Sequence, residues 1–399
     1  MKLTGGQIIG ETLKKAGVKH CFGLVGHGNL GLIDGLEYAG IEFISCHNET
    51  IAGMAADGYF RATGKIGIVC LTCAPGALNT QLSVVTAAQD HSAVLYLTGD
   101  IPYAFAGKGT YEEVDLNSPD DQFNIMKPMF KRAWKGTNVK LFSQYITNAL
   151  TTAITGRPGP VLVDIPFDLQ TVEEDVKILN PLKHRPSSMP IPDNKEIKKT
   201  AELLLSAKNP TIFVGGGVII SRAYNEVLNL AEFLDIPIIT SIMGAGAMPG
   251  DHPLVAGFIG SYGTELANNY AKKADLILAI GTRFEEEETA IWLDGEIFSV
   301  PPTKIIQIDI NPIEIGKNYP VELGLIGDAK LSLISINKEI RKILKEKPVK
   351  RGTKEELKSK KEEWLNKLKP FINSDKKPIN PRRLLYALNR YLPENGIIV

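Results

Sequence analysis

Residues 45–59 read SCHNETIAGMAADGY. Glu49 lies beside Ile51, Ala52 and Met54, and no Lys or Arg follows it until Arg61. A carboxylate alone among apolar neighbours is costly to ionise and tends to hold its proton. Either Glu49 pairs with a group distant in sequence, or the site wants a carboxyl group of raised pKa. The helix dipole would also favour an acid at the start of the helix that follows. His27, in the loop FGLVGHGNL, titrates near neutrality and could handle protons on a carbonyl substrate, or serve the loop alone. His91 precedes an apolar run and reads as structural, and His47 reads as a packing residue next to Glu49. Cys70 and Cys73 form a C-x-x-C. It reads as a strand end with two small buried residues, since a metal site needs further ligands and no second C-x-x-C exists.

These residues hang on an alternation of short apolar runs and helical patterns. Strands are expected at 19–24, 42–46, 67–72, 93–98 and 161–165, each β-branched or apolar and bounded by turn residues. Helices are expected between them, over 5–16, 29–38, 49–62, 77–89 and 140–155. That order argues for an α/β fold with a mostly parallel sheet covered by helices. A Pro-containing stretch, 181–193, reads as a linker. A second α/β unit follows, with strands TIFVGG, IPIITS, LILAIG and IIQIDI and helices over 194–207, 222–233, 263–273 and 329–344. Gly215–Gly217 resemble a nucleotide-binding turn but lack the third, spaced glycine of the dinucleotide fingerprint. Residues 343–377, dense in Lys and Glu, read as a solvated helical connector. The last stretch, PINPRRLLYALNRYLPENGIIV, reads as a Pro-led helix, a turn and the start of a buried strand.

The bulk composition narrows the partners. The chain has 399 residues, 44% hydrophobic and 23% charged, which fits a globular protein of two or three domains. Lys plus Arg equals Asp plus Glu at 45 each, so charge gives no reason to expect nucleic acid or an anionic membrane. No apolar run is long enough to span a bilayer, and residues 1–17 read as an amphipathic helix rather than a signal peptide. Four cysteines in so long a chain suggest free thiols and a cytoplasmic location.

Several blocks then resemble one family. HNETIAGMAADGYFRATGK, TCAPGALNT, TGRPGPVLVDIPFD, MGAGAMPGDHPL, GTRFEEEE and IDINPIEIGKNYP with GDAK are similar to the thiamine diphosphate enzymes of the acetolactate synthase and pyruvate decarboxylase group. The resemblance is collinear over nearly the whole chain and is strongest to acetolactate synthase catalytic subunits, especially across 235–330. It implies two doubly wound parallel-sheet domains: a pyrimidine-binding domain over 1–180 and, after the linker, a central Rossmann-like domain over 194–345. A charged helical linker, 346–377, would lead to the start of an incomplete diphosphate-binding domain at 378–399.

The resemblance also assigns roles. Glu49 matches the glutamate that shares a proton with the cofactor's aminopyrimidine ring, favouring the tautomer that can take a proton from the thiazolium carbon; burial makes that sharing effective. Gly26 and the loop Thr72–Asn79, with Thr72, Pro75, Gly76 and Asn79, would border the pyrimidine. The family usually has Ser-Gly or Gly-Ser where this chain has Cys73-Ala74. His27 falls where relatives place a polar residue facing substrate. Glu112 replaces a glutamine expected near the reacting carbon, and a carboxylate there could act as acid or base where an amide could not. Arg283 falls where acetolactate synthases contact FAD, which the resemblance leaves open; the glutamates after Phe284 add negative charge that opposes a diphosphate. The small residues Ala52, Gly53, Ala55, Ala56 and Gly58 fit either a subunit interface of a homodimer or homotetramer, or packing within the chain. The implied substrate is a small 2-oxo acid. The implied reaction is decarboxylation with carboligation, pyruvate to 2-acetolactate. Plain decarboxylase or lyase chemistry, or a non-catalytic nucleotide-binding role, is the alternative.

The G-D-G…N motif that would hold the cofactor's diphosphate through Mg²⁺ does not occur here, and Gly327-Asp328 continues as Ala-Lys. No metal ligand is therefore expected within the chain. The Mg²⁺ ligands are expected on a further stretch of polypeptide, and the chain alone is expected to be inactive.

Overall fold

The computed structural model describes residues 2–398. It divides into two compact units, Met1–Ser188 and Met189–Val399. Each is built on a six-stranded, all-parallel sheet.

The first sheet contains β1 (His20–Gly23), β2 (Glu42–Ser45), β3 (Gly67–Leu71), β4 (Val94–Asp100), β5 (Arg132–Lys135) and β6 (Val161–Pro166). Their order across the sheet is β2-β1-β3-β4-β6-β5. The central strands β3, β4 and β6 are buried along their whole length. Successive side chains of a strand point to opposite faces, so continuous burial requires cover on both. Ile68, Cys70, Leu95 and Leu97 join one apolar cluster with helices Gly5–Lys15 and Phe142–Ile154. Val69, Leu71, Val94 and Tyr96 join another with Ala52, Ala56, Val84 and Ala87 from helices Glu49–Thr63 and Gln81–Gln89. The chain order reverses between β1 and β3, and loops at the carboxyl ends of strands flanking such a switch point form the crevice where α/β folds bind ligands.

The second sheet contains β7 (Pro210–Val214), β8 (Ile238–Thr240), β9 (Val255–Phe258), β10 (Leu276–Ile280), β11 (Lys304–Asp309) and β12 (Leu323–Ile326). The order β9-β8-β7-β10-β11-β12 is that of a dinucleotide-binding fold. Ile212 and Val214 face one apolar cluster and Phe213 the other. Both units are therefore doubly wound. Three edge-side strands, β5, β9 and β12, are not expected from the sequence; they are only four residues long and partly exposed.

Local signals explain the helix limits. Asn48 caps the helix Glu49–Thr63 by accepting from Thr50 N at 2.8 Å, and Gly64 ends it at φ 71°. The helix expected over 77–89 is instead two, Pro75–Leu78 and Gln81–Gln89. Thr80 Oγ1 donates back to Ala77 O at 2.6 Å across the break. Gly215–Gly217 open only a six-residue helix, and a Cβ on Gly215 would come within 2.2 Å of Gly281 O, so these glycines serve close packing. In the charged helix Thr353–Ile372, Leu357 is fully buried, so that helix is not wholly solvated. The expected terminal strand does not form: Pro381–Tyr391 is a helix, but Ile397 and Ile398 are exposed and pair with no strand among the described residues. A lone apolar segment without a neighbouring edge has no ladder to join. Among the described residues no helix is long and apolar enough to cross a membrane.

Candidate functional site

The loops following β1, β2 and β3 bring most of the expected residues together. Glu49 is the first residue of its helix, and its Oε2 accepts from Asn79 Nδ2 at 2.7 Å. The break after Leu78 places Asn79 there, and Thr50 Oγ1 donates to the Asn79 carbonyl to hold it. Glu49 makes no ion pair among the described residues, so its partner distant in sequence is an amide and not a cation. In the single chain Glu49 is half-buried rather than buried. Its neighbour Ile51 and Leu82 of the adjacent helix are 55% and 65% exposed. His47 is exposed and does not pack behind it.

Backbone approaches tightly around this carboxylate. A Cβ on Gly76 would lie 2.4 Å from Thr72 Cγ2 and 3.5 Å from Glu49 Oε1. A Cβ on Gly26 would lie 2.5 Å from Thr72 Cβ. Thr72 Oγ1 accepts from Gly28 N at 3.1 Å and ties the β1 loop to the β3 loop. Pro75 starts the short helix Pro75–Leu78 and sets its first turn.

Beside this cradle is a second cluster. Glu112 Oε2 accepts from the Cys73 thiol at 3.2 Å and faces His27 Nδ1 at 3.3 Å. Burial first, and then the hydrogen bond to Glu112, push the Cys73 thiol up to about 12, so it keeps its proton at neutral pH. It is no nucleophile in this setting, since the thiolate is the reactive form. His27 packs against Tyr111 and Phe167, with ring centroids 5.7 and 6.3 Å away. Glu113, in contrast, turns away and accepts from the backbone of Gly107 and Thr110. Two residues hold left-handed or strained backbone here, Glu112 at φ 62° and Ala74 at φ 40°.

Support comes from below. Gln122, almost fully buried, accepts from Ala74 N and donates to Gly99 O at 2.9 Å and to Asp164 Oδ1 at 2.8 Å. Thr98 Oγ1 also donates to Asp164, at 2.6 Å. Burial, with Asp100 nearby, pushes the Asp164 carboxyl well above the usual range. Lys135 pairs with Asp100 at 3.0 Å and Asp120 at 2.5 Å.

The chain matches the family described as thiamine pyrophosphate enzyme, N-terminal TPP binding domain, over residues 3–120, and the thiamine pyrophosphate enzyme central domain over 197–336. It is 35% identical over 406 residues to the probable acetolactate synthase large subunit of Methanocaldococcus jannaschii, a match covering 98% of this chain and 64% of that protein. The chain belongs to the thiamine pyrophosphate enzymes. The corresponding protein of Methanococcus aeolicus is 34% identical over 409 residues, covering 99% of this chain and 65% of that one. The acetolactate synthase large subunit of Corynebacterium glutamicum is 35% identical over 332 residues, covering 82% and 51%. The chain thus spans about two thirds of the length of the first two relatives, or slightly less.

In this chain Glu49, Gly26, Thr72, Pro75, Gly76 and Asn79 converge in the first unit, as do His27 and Glu112. Arg283 belongs to the second unit, where its guanidinium is paired with Glu285. Sequence reasoning missed the link from Cys73 to Glu112, 39 residues apart, and the role of Gln122. The departure of Cys73-Ala74 from the family's small polar pair was the available signal. Cys70 takes no part: Asn29 Nδ2 approaches its sulfur at 3.8 Å, in the sheet core.

Proposed function

We propose that this chain carries the pyrimidine side of a thiamine diphosphate-dependent enzyme acting on a small 2-oxo acid. The proposed reaction is acetolactate synthase-like, joining two pyruvate units with loss of carbon dioxide. One observation carries the reading: a carboxylate at a helix start, aligned by an amide at 2.7 Å and paired with no cation among the described residues. The cofactor, when bound, supplies the carbon that attacks the 2-oxo group. Glu49 holds a proton at the ring nitrogen, Asn79 orients Glu49, and Gly26 and Gly76 let Thr72 pack close so that the loops border the ring. His27 and Glu112 are the proton-handling groups on the substrate side.

The half-exposure of Glu49 suits a site completed by a second copy of the chain. Exposed Ile51 and Leu82, close in sequence to Glu49 and Asn79, support a homodimer or homotetramer. Mg²⁺ would hold the diphosphate through ligands outside these residues. FAD is left out of the reading, since the Arg283 guanidinium is already paired with Glu285 among further glutamates. A plain decarboxylase on the same residues is the second reading, favoured by Glu112 in place of an amide.

The test uses this chain together with the stretch of polypeptide that carries the Mg²⁺ ligands: thiamine diphosphate and Mg²⁺ are titrated by calorimetry, then pyruvate turnover is followed with 2-acetolactate and acetaldehyde measured separately. Binding that is lost in Glu49→Ala, with 2-acetolactate as product, is the expected result. Acetaldehyde alone would select the decarboxylase. Cofactor affinity equal in wild type and Glu49→Ala would sink both.

A further inference from the structure

His27, Cys73 and Glu112 offer one nitrogen, one sulfur and one oxygen, all within 4.8 Å of one another. Each stands in a different loop of the first unit, and Cys73 and Glu112 both depart from the family pattern at their positions. The C-x-x-C that brought Cys73 to attention lacks ligands of its own; its second cysteine gains them from the loops after β1 and β4. We propose that these three side chains form a binding site for a thiophilic divalent cation of the Zn²⁺ class.

The geometry suits such an ion. Zn²⁺ takes thiolate sulfur at about 2.3 Å and imidazole nitrogen or carboxylate oxygen at about 2.0–2.1 Å, which sets ligand atoms of a tetrahedral site roughly 3.3–3.6 Å apart. The observed separations, 3.2 Å from sulfur to oxygen and 3.3 Å from nitrogen to the same oxygen, lie close to those edges. In the metal-free chain the thiol proton bridges Cys73 and Glu112. On binding, the thiol proton leaves to solvent as the sulfur–metal bond forms, and His27 keeps its ring proton on Nε2 while Nδ1 ligates. Gly28 keeps space beside the sulfur, since a Cβ there would come within 2.8 Å of it. The His27 side chain is 45% exposed, which gives the ion a route in. Three protein ligands leave one position open, the arrangement of a site that takes an oxygen ligand such as water or a carboxylate. Mg²⁺ is not the ion meant, because it prefers an all-oxygen shell.

The site is tested on the whole chain without thiamine diphosphate, so the outcome does not depend on the functional reading above. Metal-stripped protein is titrated with Co²⁺, which reports thiolate ligation by a charge-transfer absorption and tetrahedral geometry by its ligand-field bands. One Co²⁺ per chain is expected, displaced by Zn²⁺. The charge-transfer band should vanish in Cys73→Ser and persist in Cys70→Ser. His27→Gln and Glu112→Gln should each weaken Co²⁺ binding at least about tenfold, with circular dichroism unchanged. A band that survives Cys73→Ser, or affinity unaltered in both His27→Gln and Glu112→Gln, overturns the proposal. So does the lack of any thiolate band with Co²⁺ in excess over folded wild-type protein.

Discussion

Asn79 donates its side-chain amide to the Glu49 carboxylate at 2.7 Å, across thirty residues of chain. The contact exists because a helix that could have run unbroken from Pro75 to Gln89 stops at Leu78 and restarts at Gln81. Asn79 closes the short helix, its N–H donating to Pro75 O at 3.0 Å, and turns its side chain to Glu49. Removing the amide should leave the fold intact, since both groups are partly exposed. Asn79→Ala is expected to weaken thiamine diphosphate binding roughly tenfold to a hundredfold, the effect of about 1.5–3 kcal/mol from a hydrogen bond to a charged group. Calorimetry gives the affinity, and an unfolding midpoint matching wild type shows that stability is not the cause.

The glycines of the first unit divide by what surrounds them. Gly76→Ala would set a Cβ 2.4 Å from Thr72 Cγ2, and Thr72 cannot swing away without losing its bond to Gly28 N. Overpacking of this kind costs about 1–3 kcal/mol. Gly58, in the helix Glu49–Thr63, has nothing within 4 Å of where an alanine methyl would sit. Gly58→Ala should therefore stabilise an isolated chain by up to about 1 kcal/mol through helix propensity. Urea unfolding of the two variants should move in opposite directions. Dissociation of an oligomer by Gly58→Ala would instead place that helix at a subunit interface.

Most of the first unit was legible because its strands are short, apolar and bounded by turns. The five expected strands there all form, with limits within two residues of those expected. Strand β5, RAWK, was not legible: two basic residues and partial exposure hide its pattern. In the site, Glu49 and Asn79 could each be named from the sequence, but not their mutual contact. The Glu112–Cys73 contact was less accessible still. It depends on a left-handed backbone at a glutamate, φ 62°, which no residue preference predicts. The terminal strand failed for another reason. GIIV is apolar enough for a strand, but pattern alone does not supply the neighbour a strand must pair with.

Glu288 in the second unit makes a pH prediction. It is 4% exposed, accepts from Thr282 Oγ1 at 3.2 Å, and is pushed from its ordinary 4.5 to about 7 by burial and then by the Glu285 carboxylate. A carboxyl raised on folding stays protonated in the folded state while the unfolded chain has already ionised. Its cost is therefore absent below about pH 4.5, grows as pH rises, and levels off above about 7. The full cost is about 3 kcal/mol. Glu288→Gln should remove this slope, gaining most at pH 8 and little at pH 4.5. Denaturant unfolding at both pH values checks it, and an equal gain at each would point to packing instead of ionisation.

Gln122 links the floor of the first unit to its active loop. Its carbonyl oxygen takes the Ala74 N–H, and its amide nitrogen spans Gly99 O and Asp164. Ala74, at φ 40°, is held in a backbone region that alanine avoids, and the Gln122 bond is what offsets that strain. Gln122→Met keeps the volume but leaves a buried N–H and a buried carbonyl unpaired. Each such group costs about 1–3 kcal/mol, so a loss of several kcal/mol is expected if the loop stays in place. If the loop relaxes instead, the stability loss shrinks, and Cys73 moves away from Glu112. Thiol labelling of Cys73 separates the two outcomes: slow in wild type, where the sulfur is buried, and accelerated in Gln122→Met only when the loop has let go.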